Sequence, residues 1–429
     1  VRKLTESEKN MGFLHESVKI LSFGIAVSLF GMEAIAADLV VRKNVVDLTS
    51  EEKNNFVNAI KTLKTTIPEG SALSIYDQFV AVHLGAMSVI HWHEEHQHHH
   101  NIDTAHENSG FLPWHREYVR RFEQALQSVD PSVTVPYWDW TDPTAIDVIF
   151  QPDFMGSNGQ GVTINIPGAG AFEGGPVVSG NFSEASGWVL NKDLHIDPST
   201  NQSLGTSLLR FLQVPPATDY PIPKAEIDRI LALDNYQAFR PALEGFISFD
   251  KDGNVINGGF AHNYIHGLVG GVRIDLTTSR PTFQPIGTMS NIPSSVNDPV
   301  FWLNHSNVDR LWAEWQDNGH EGSDFYPSEG QPYGHNLNDP MWPWDGGMST
   351  PASKGLGNLL SLLPVFDSDD IVTPADVLDY RKMGYTYDTT SASVPEPTST
   401  LGLLGLGVLG ISSLSKHKKK QKTLAISNG

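Results

Sequence analysis

The stretch from His106 to Trp140, HENSGFLPWHREYVRRFEQALQSVDPSVTVPYWDW, constrains this chain more than any other. Two histidines bracket a turn, the second opens a helical pattern, and an aromatic run closes the segment. Val119, Phe122 and Leu126 fall four, seven and eleven residues after His115, so the four share one face of a helix that points into a core. An imidazole on a buried face needs either a partner for each ring nitrogen or a metal. The rest of the chain decides between the two.

At 429 residues the chain has room for two or three domains of about 150 residues, or for one large catalytic domain. Our division is a leader over 1–36, one catalytic domain over 37–390, a linker over 391–400 and a tail over 401–429. The net charge of -20 repels phosphate backbones, so no nucleic acid is expected as a partner. The sequence has no cysteine, which removes disulfides, thiolate metal sites and cysteine nucleophiles together. Its 17 histidines are then the only strong nitrogen ligands.

Residues 19–37, KILSFGIAVSLFGMEAIAA, run from a lysine through a short apolar stretch to small residues. That pattern predicts a secretory signal peptide cleaved at Ala34-Ile35-Ala36, with Met11 as a start. Residues 48–63 predict a surface helix capped by Thr49 or Ser50, with acids in its first turn. Tyr76, Phe79, Val80, His83, Met87 and Ile90 keep helical spacing and set His83 on an apolar face. One buried histidine is more often a satisfied core residue, but this one opens a series.

HWHEEHQHHHN follows, with His91, His93, His96, His98, His99 and His100. Its polarity predicts a solvent-facing insertion loop that binds metal weakly at most, and the H-E-x-x-H spacing of a zinc helix is missing. Asp139, in PYWDW, is expected to hydrogen-bond inside an aromatic cluster. Residues 152–207 are rich in Gly, Ser, Asn and Pro and predict a long irregular excursion. Residues 222–247 predict one helix stopped by Gly245. Residues 332–388 read as loop with a final helix over 374–382.

His262 and His266 lie four apart, the spacing that lets two imidazoles on one helix face reach one metal. Residues 298–316 predict a helix whose inner side carries Phe301, Trp302, His305, Val308, Trp312 and Trp315. Asp309, one turn beyond His305, either orients an imidazole or pairs with Arg310 or Arg116. With the 91–100 run set aside, six histidines form two groups of three: His83, His106 and His115, then His262, His266 and His305. An all-imidazole donor set suits copper, and zinc stays open.

Here the sequence resembles the tyrosinases, members of the type 3 copper proteins that include catechol oxidases and mollusc-type haemocyanins. One signature is His106, four residues, then Phe111-Leu112-Pro113-Trp114-His115-Arg116, continuing through Val119 to Glu123. The other is Asp298-Pro299-Val300-Phe301-Trp302, two residues, His305, three residues, Asp309. YDQFVAVH before them, HNYIHGLVGG between them and DYRKMGYTYD after them extend the likeness over roughly residues 45–388.

The resemblance implies a mainly α fold, an antiparallel four-helix bundle around a dicopper centre with long irregular loops. It makes His83, His106 and His115 the ligands of copper A and His262, His266 and His305 those of copper B. Two copper ions, O2 as co-substrate and small phenolic substrates follow, with o-hydroxylation of monophenols, oxidation of o-diphenols to o-quinones, or both. Phe301 matches a family phenylalanine that lies beside the coppers and stacks on the substrate ring. Asn263 and Glu244 match an asparagine and a glutamate that hold a water able to deprotonate a phenol, although the segment between them is longer here than in compact bacterial relatives.

Asn304 replaces the histidine that many relatives have before the last ligand, and the cysteine that some relatives crosslink to a copper A histidine is missing. No long shielding domain is expected after Asp388. Val394-Pro395-Glu396-Pro397, the apolar run Leu401 to Ile411 and the lysines after it resemble a PEP-CTERM sorting signal. The run is shorter than a comfortable membrane span. This implies export in a Gram-negative bacterium to the periplasm, outer envelope or extracellular matrix, with envelope sorting machinery and a copper chaperone as partners. A catechol oxidase without monophenolase activity, a haemocyanin-like oxygen carrier and an envelope metal-sequestering protein are the alternatives.

Overall fold

A computed structural model describes residues 39–390 except 94–97, 167, 198–199, 246–247, 250–254, 258, 276–281, 352–358 and 365. The leader, linker and tail lie outside the described residues. Among the described residues, no helix is long and apolar enough to cross a membrane.

Among the described residues the α-helices are α1 (Ser50–Thr65), α2 (Ile75–Ala86), α3 (Phe111–Val129), the short α4 (Ala145–Ile149), α5 (Lys224–Leu231), α6 (Tyr236–Glu244), α7 (His262–Gly270), α8 (Val300–Asp317) and the single turn α9 (Leu359–Leu362). Local chemistry sets their ends. Thr49 accepts from Glu52 N at 3.2 Å while the Glu52 carboxylate accepts from Thr49 N at 2.8 Å, a reciprocal cap on α1. Ser74 caps α2 through Asp77 N at 3.1 Å. Gly245 closes α6 at φ 88°, and the stop is also an approach site. A Cβ there would come within 3.2 Å of Asn263 N and 3.5 Å of its Cβ, so α6 abuts the first turn of α7.

Apolar burial brings α2, α3 and α8 together. Phe122 stacks on Trp302 with centroids 3.6 Å apart, and Phe79 meets both rings edge-on at 5.4 and 5.6 Å. Such rings bury well over 100 Å² each, and the pair geometry adds about 0.5–1.5 kcal/mol beyond area. Trp302 Nε1 donates to Tyr76 Oη at 3.1 Å, which in turn donates to Val296 O at 2.7 Å, so the polar edges inside this layer are satisfied.

A charged network ties α3 to α8 as well. Strand β1 (Val40–Arg42) pairs in parallel with Tyr385–Tyr387. Its Arg42 donates to both oxygens of Glu123 on α3 at 3.0 and 2.9 Å and to Asp309 on α8 at 3.1 Å. Asp309 also accepts from Arg116 on α3 and from the hydroxyls of Tyr385 and Tyr387 at 2.6 and 2.7 Å. All of these groups are buried. Removing one member of such a set strands a charge in low dielectric and costs about 3–5 kcal/mol. Near the head of α8, Arg210 forms a bidentate pair with Asp298 at 2.8 and 2.7 Å and fastens the 152–210 excursion there.

Several sequence expectations change. The 91–100 run, expected as a loop, begins and ends in paired strands, β2 (Val89–His93) and β3 (His98–Ile102), while residues 94–97 lie outside the described residues. Ile90 and Trp92 alternate with His91 and His93, a strand period masked by histidine content. The 152–207 excursion includes antiparallel pairs, Val162–Ile166 with Gly170–Pro176 and Ile196–Asp197 with Gln202–Ser203. The single helix over 222–247 is two, because Asn235 starts a new one by capping Ala238 N at 3.0 Å. The final helix shrinks to a 3-10 turn, Pro374–Val377.

Candidate metal centre

Four helices and one loop deliver the six histidines, as the helical core expected from the sequence requires. His83 comes from α2, His115 from the second turn of α3, His262 and His266 from α7, and His305 from α8. His106 sits on the loop between β3 and α3. The ligand atoms of His83, His106 and His115 lie within 4.8 Å of one another, and so do those of His262, His266 and His305. The two triads adjoin, since the His115 and His305 rings stack with centroids 4.2 Å apart.

Backbone carbonyls fix which nitrogen faces inward. His83 Nδ1 donates to Pro293 O at 3.2 Å, His115 Nδ1 to Phe111 O at 2.8 Å, and His266 Nδ1 to Met289 O at 2.7 Å. His262 Nδ1 donates to Glu244 O at 3.3 Å. With the proton on Nδ1, each Nε2 presents a lone pair to the centre. His83 Nε2 and His115 Nε2 are buried and have no protein partner. In the second triad, His262 Nε2 stands 2.9 Å from His266 Nε2 and 3.0 Å from His305 Nε2. Lone pairs held that close repel one another unless a cation sits among them. The donor set therefore fits metal ions, and all-nitrogen donors with outer carbonyl partners fit copper.

Burial pushes the histidines toward the neutral form that a metal needs. His83, His115, His262 and His305 are held well below the usual imidazole range, first by burial and then by neighbouring imidazoles. Burial lowers His266 to about 4. His106 differs. Burial pulls it down, but the Asp103 carboxylate, 3.4 Å from Nδ1, outweighs that and holds it above its ordinary value, with Glu244 and Glu107 adding to the effect.

Glu244 connects the halves. Its Oε1 accepts from Glu107 N at 2.7 Å, next to His106, and its backbone carbonyl accepts from His262. Glu107 holds φ at 60°, a left-handed conformation that is costly for a non-glycine residue and persists where surroundings hold it. Oε2 accepts from Arg240 at 2.5 Å. Burial pushes this carboxyl up to about 7 against the Arg240 charge and the Glu107 amide. Asn263, half-buried beside His262, opens α7 where α6 ends. The hairpin of Ser248–Phe249 and Val255–Asn257 accounts for the length between Glu244 and His262.

The other expected residues lie as follows. Phe301 has no exposed surface; it stacks on His305 at 4.0 Å and meets His83 edge-on at 5.1 Å, so its ring lies against one imidazole of each triad. Asp309 serves the arginines and tyrosines, leaving His305 Nδ1 without a hydrogen-bond partner. Asp139 accepts from the amide and hydroxyl of Thr141 at 2.9 and 2.8 Å instead of bonding within the aromatic cluster. Asn304 is fully buried, and neither side-chain polar atom finds a protein partner. Sequence reading missed Asp103, although its position three residues before His106 was a signal.

Two adjoining triads of buried imidazoles, five of the six carried by helices, define a dinuclear copper protein. Comparison with known proteins agrees: residues 73–318 match the common central domain of tyrosinase, and residues 393–417 match the PEP-CTERM protein-sorting motif. The chain is 33% identical to a tyrosinase from Streptomyces glaucescens, over 82% of this chain and 100% of that one. To a tyrosinase from Streptomyces antibioticus it is 34% identical, over 73% of this chain and 96% of that one. Among solved structures it resembles the tyrosinase from Burkholderia thailandensis at 20% identity and TM-score 0.47, covering 85% of this chain and 76% of that one. The chain belongs to the tyrosinase family. It is a dicopper phenol oxidase carrying a C-terminal envelope-sorting motif.

Proposed function

We propose that this protein oxidises small phenols to o-quinones with O2, hydroxylating monophenols as well as oxidising o-diphenols. His83, His106 and His115 hold one copper, and His262, His266 and His305 hold the other. The pair supplies two-electron reduction of O2. A monophenol then takes one oxygen atom into its ortho position and leaves as the quinone, while the second oxygen atom leaves as water.

The observation that carries monophenol hydroxylation is the seat of Glu244. Its carboxyl and its backbone carbonyl reach residues at both triads, and Asn263 stands where α6 meets α7. From that seat Glu244 accepts the phenol proton through a water that the Asn263 amide orients, and the phenolate enters beside His262. The enclosed Phe301 keeps the His305 ring in place and keeps water off that side. Copper-loaded Asn263→Ala, assayed on tyrosine and on catechol, tests this. The expected result is a monophenol rate lowered about tenfold more than the diphenol rate, within the usual range for assisted proton transfer. Equal losses on the two substrates contradict it and mark a catechol oxidase.

Export belongs to the same reading. Residues 1–36 act as a removable leader, residues 393–417 are read by sorting machinery at a Gram-negative envelope, and a copper chaperone loads the protein. N-terminal sequencing of the mature chain, with fractionation of its host, checks the leader. An unprocessed cytoplasmic chain contradicts it.

A further inference from the structure

Among the described residues outside the triads, His195 and His335 are the fully buried histidines, at 0 and 1% exposure. His195 places both ring nitrogens, with Nδ1 donating to Gly205 O at 3.0 Å and Nε2 3.1 Å from Thr288 Oγ1. His335 places neither: no described residue offers a hydrogen-bond partner to its Nδ1 or Nε2. A neutral imidazole carries one N–H and one lone pair, and burying both unmet is costly where an apolar side chain would fill the space without that loss. Such a group calls for a partner that is not protein, and in a polar pocket that partner is water.

His335 sits against the loop that carries His106. A Cβ on Gly110, which precedes α3, would come within 2.8 Å of His335 Cδ2 and 3.0 Å of Thr104 O, the carbonyl next to Asp103. The Tyr326 hydroxyl lies 3.0 Å from both His335 O and Ser109 O, and Ser109 Oγ donates to Gln331 Oε1 at 2.8 Å. Asp339 stiffens the turn that presents His335, its Oδ2 accepting from Gly334 N at 3.0 Å and from Asn336 Nδ2 at 2.7 Å. On the facing loop, Asp103 Oδ1 takes the amides of Ala105 and His106, both at 2.9 Å, and stands 3.4 Å from His106 Nδ1. Burial lowers the His335 imidazole to about 4, against the Asp103 and Asp339 carboxylates, so the ring is neutral beside Asp103.

We propose that His335 is a positioning residue for copper A: its ring holds a buried water against Asp103 and so keeps the Asp103 carboxylate turned to His106. This rests on the dicopper reading above. The His335 N–H donates to the water and the water donates to the Asp103 carboxylate, whose Oδ1 is already taken up by its own loop. Asp103 is then fixed from both ends. His106 is the one ligand without a helix beneath it, so its aim depends on Asp103. Loss of an outer partner weakens a metal site by about 10–100-fold, and His335, one contact further out, belongs at the low end.

The test is competitive titration of the copper-loaded full chain with a chelator, reading the two coppers separately. His335→Phe keeps a planar ring against Gly110 without nitrogens, and it is expected to weaken copper A about tenfold and leave copper B unchanged. His335→Gln keeps a donor and an acceptor, and is expected to stay within about threefold of the native chain. On top of Asp103→Asn, His335→Phe is expected to add less than about twofold, because the two act through one contact. A crystal structure of the metal-free protein is expected to show a water bridging His335 and Asp103.

Native copper A affinity in His335→Phe overturns the proposal. So does a His335→Gln variant as weak as His335→Phe, which would assign the effect to ring packing, and so does equal weakening of both coppers or full additivity with Asp103→Asn. If His335→Phe does not fold, the crystal structure of the native chain decides: a bridging water upholds the proposal and a dry ring contradicts it. A native chain that never takes up two coppers contradicts the dicopper reading instead, and the same crystal structure still decides whether His335 holds water against Asp103.

Discussion

The two triads differ in what holds them. His262, His266 and His305 rise from two helices, two of them one turn apart on α7, and their Nε2 atoms already converge to 2.9–3.0 Å. His83 and His115 are also helical, but His106 is carried by a loop fastened through Asp103 and through Glu107 to Glu244. Helix periodicity builds the second half. The first is assembled by contacts between distant residues, so it is the half expected to lose its metal first.

Removing a ligand gives the largest effect. His262→Gln and His106→Gln should each lower oxygen uptake with catechol by more than about 100-fold, beyond the cost of losing an outer partner. Their copper contents should differ. Metal analysis of His106→Gln should find the second site still filled, because its ligands are set by helices, and a protein emptied of both coppers would break the comparison.

Asp309→Asn acts on both halves together, since Asp309 joins α3 to α8, which each carry a ligand. Two buried arginines would lose a charged partner, and denaturant unfolding of the metal-free protein should reveal a loss of about 3–5 kcal/mol. A loss under about 1 kcal/mol would mean the network is not the clasp described.

Asp103→Asn should separate the halves without disturbing the frame. Weakening of copper A by about 10–100-fold is expected, with copper B unchanged. Competitive titration with a chelator reads both, and equal weakening would contradict the assignment of Asp103 to His106 alone.

The smallest effect is on acid stability. Burial raises the Asp309 carboxyl, but Arg116 and Arg42 prevail and hold it below its ordinary value. Its contribution is therefore complete above about pH 4, the unfolded value, and is lost as pH falls through the lower folded value. Unfolding free energies measured from about pH 6 to 3 should fall less steeply for Asp309→Asn, by on the order of 1 kcal/mol. Parallel curves would put the acid sensitivity elsewhere.

Legibility in the sequence follows the same division. His83, His115, His262, His266 and His305 announced themselves by helical spacing against apolar neighbours, and Thr49 and Gly245 marked their helix ends correctly. His106 had no period to stand on and was found through the motif around it. The Arg42–Glu123–Asp309 network joins residues 81 and 267 positions apart, beyond the reach of any local pattern. Asp309 was half read for that reason: the pairing with Arg116 was foreseen, and the two tyrosines were not. The β2–β3 pair was misread because histidine content hid a strand alternation. The break at Asn235 was missed because one side-chain cap outweighs a run of good helix formers.

The most direct test of the account is oxygen consumption and o-quinone absorbance with catechol, measured on one preparation alongside its copper content. Two coppers per chain and turnover that disappears on chelation and returns with copper but not zinc are the predicted result. A protein holding both coppers that never consumes oxygen with any phenol, or one that turns over without copper, would contradict it.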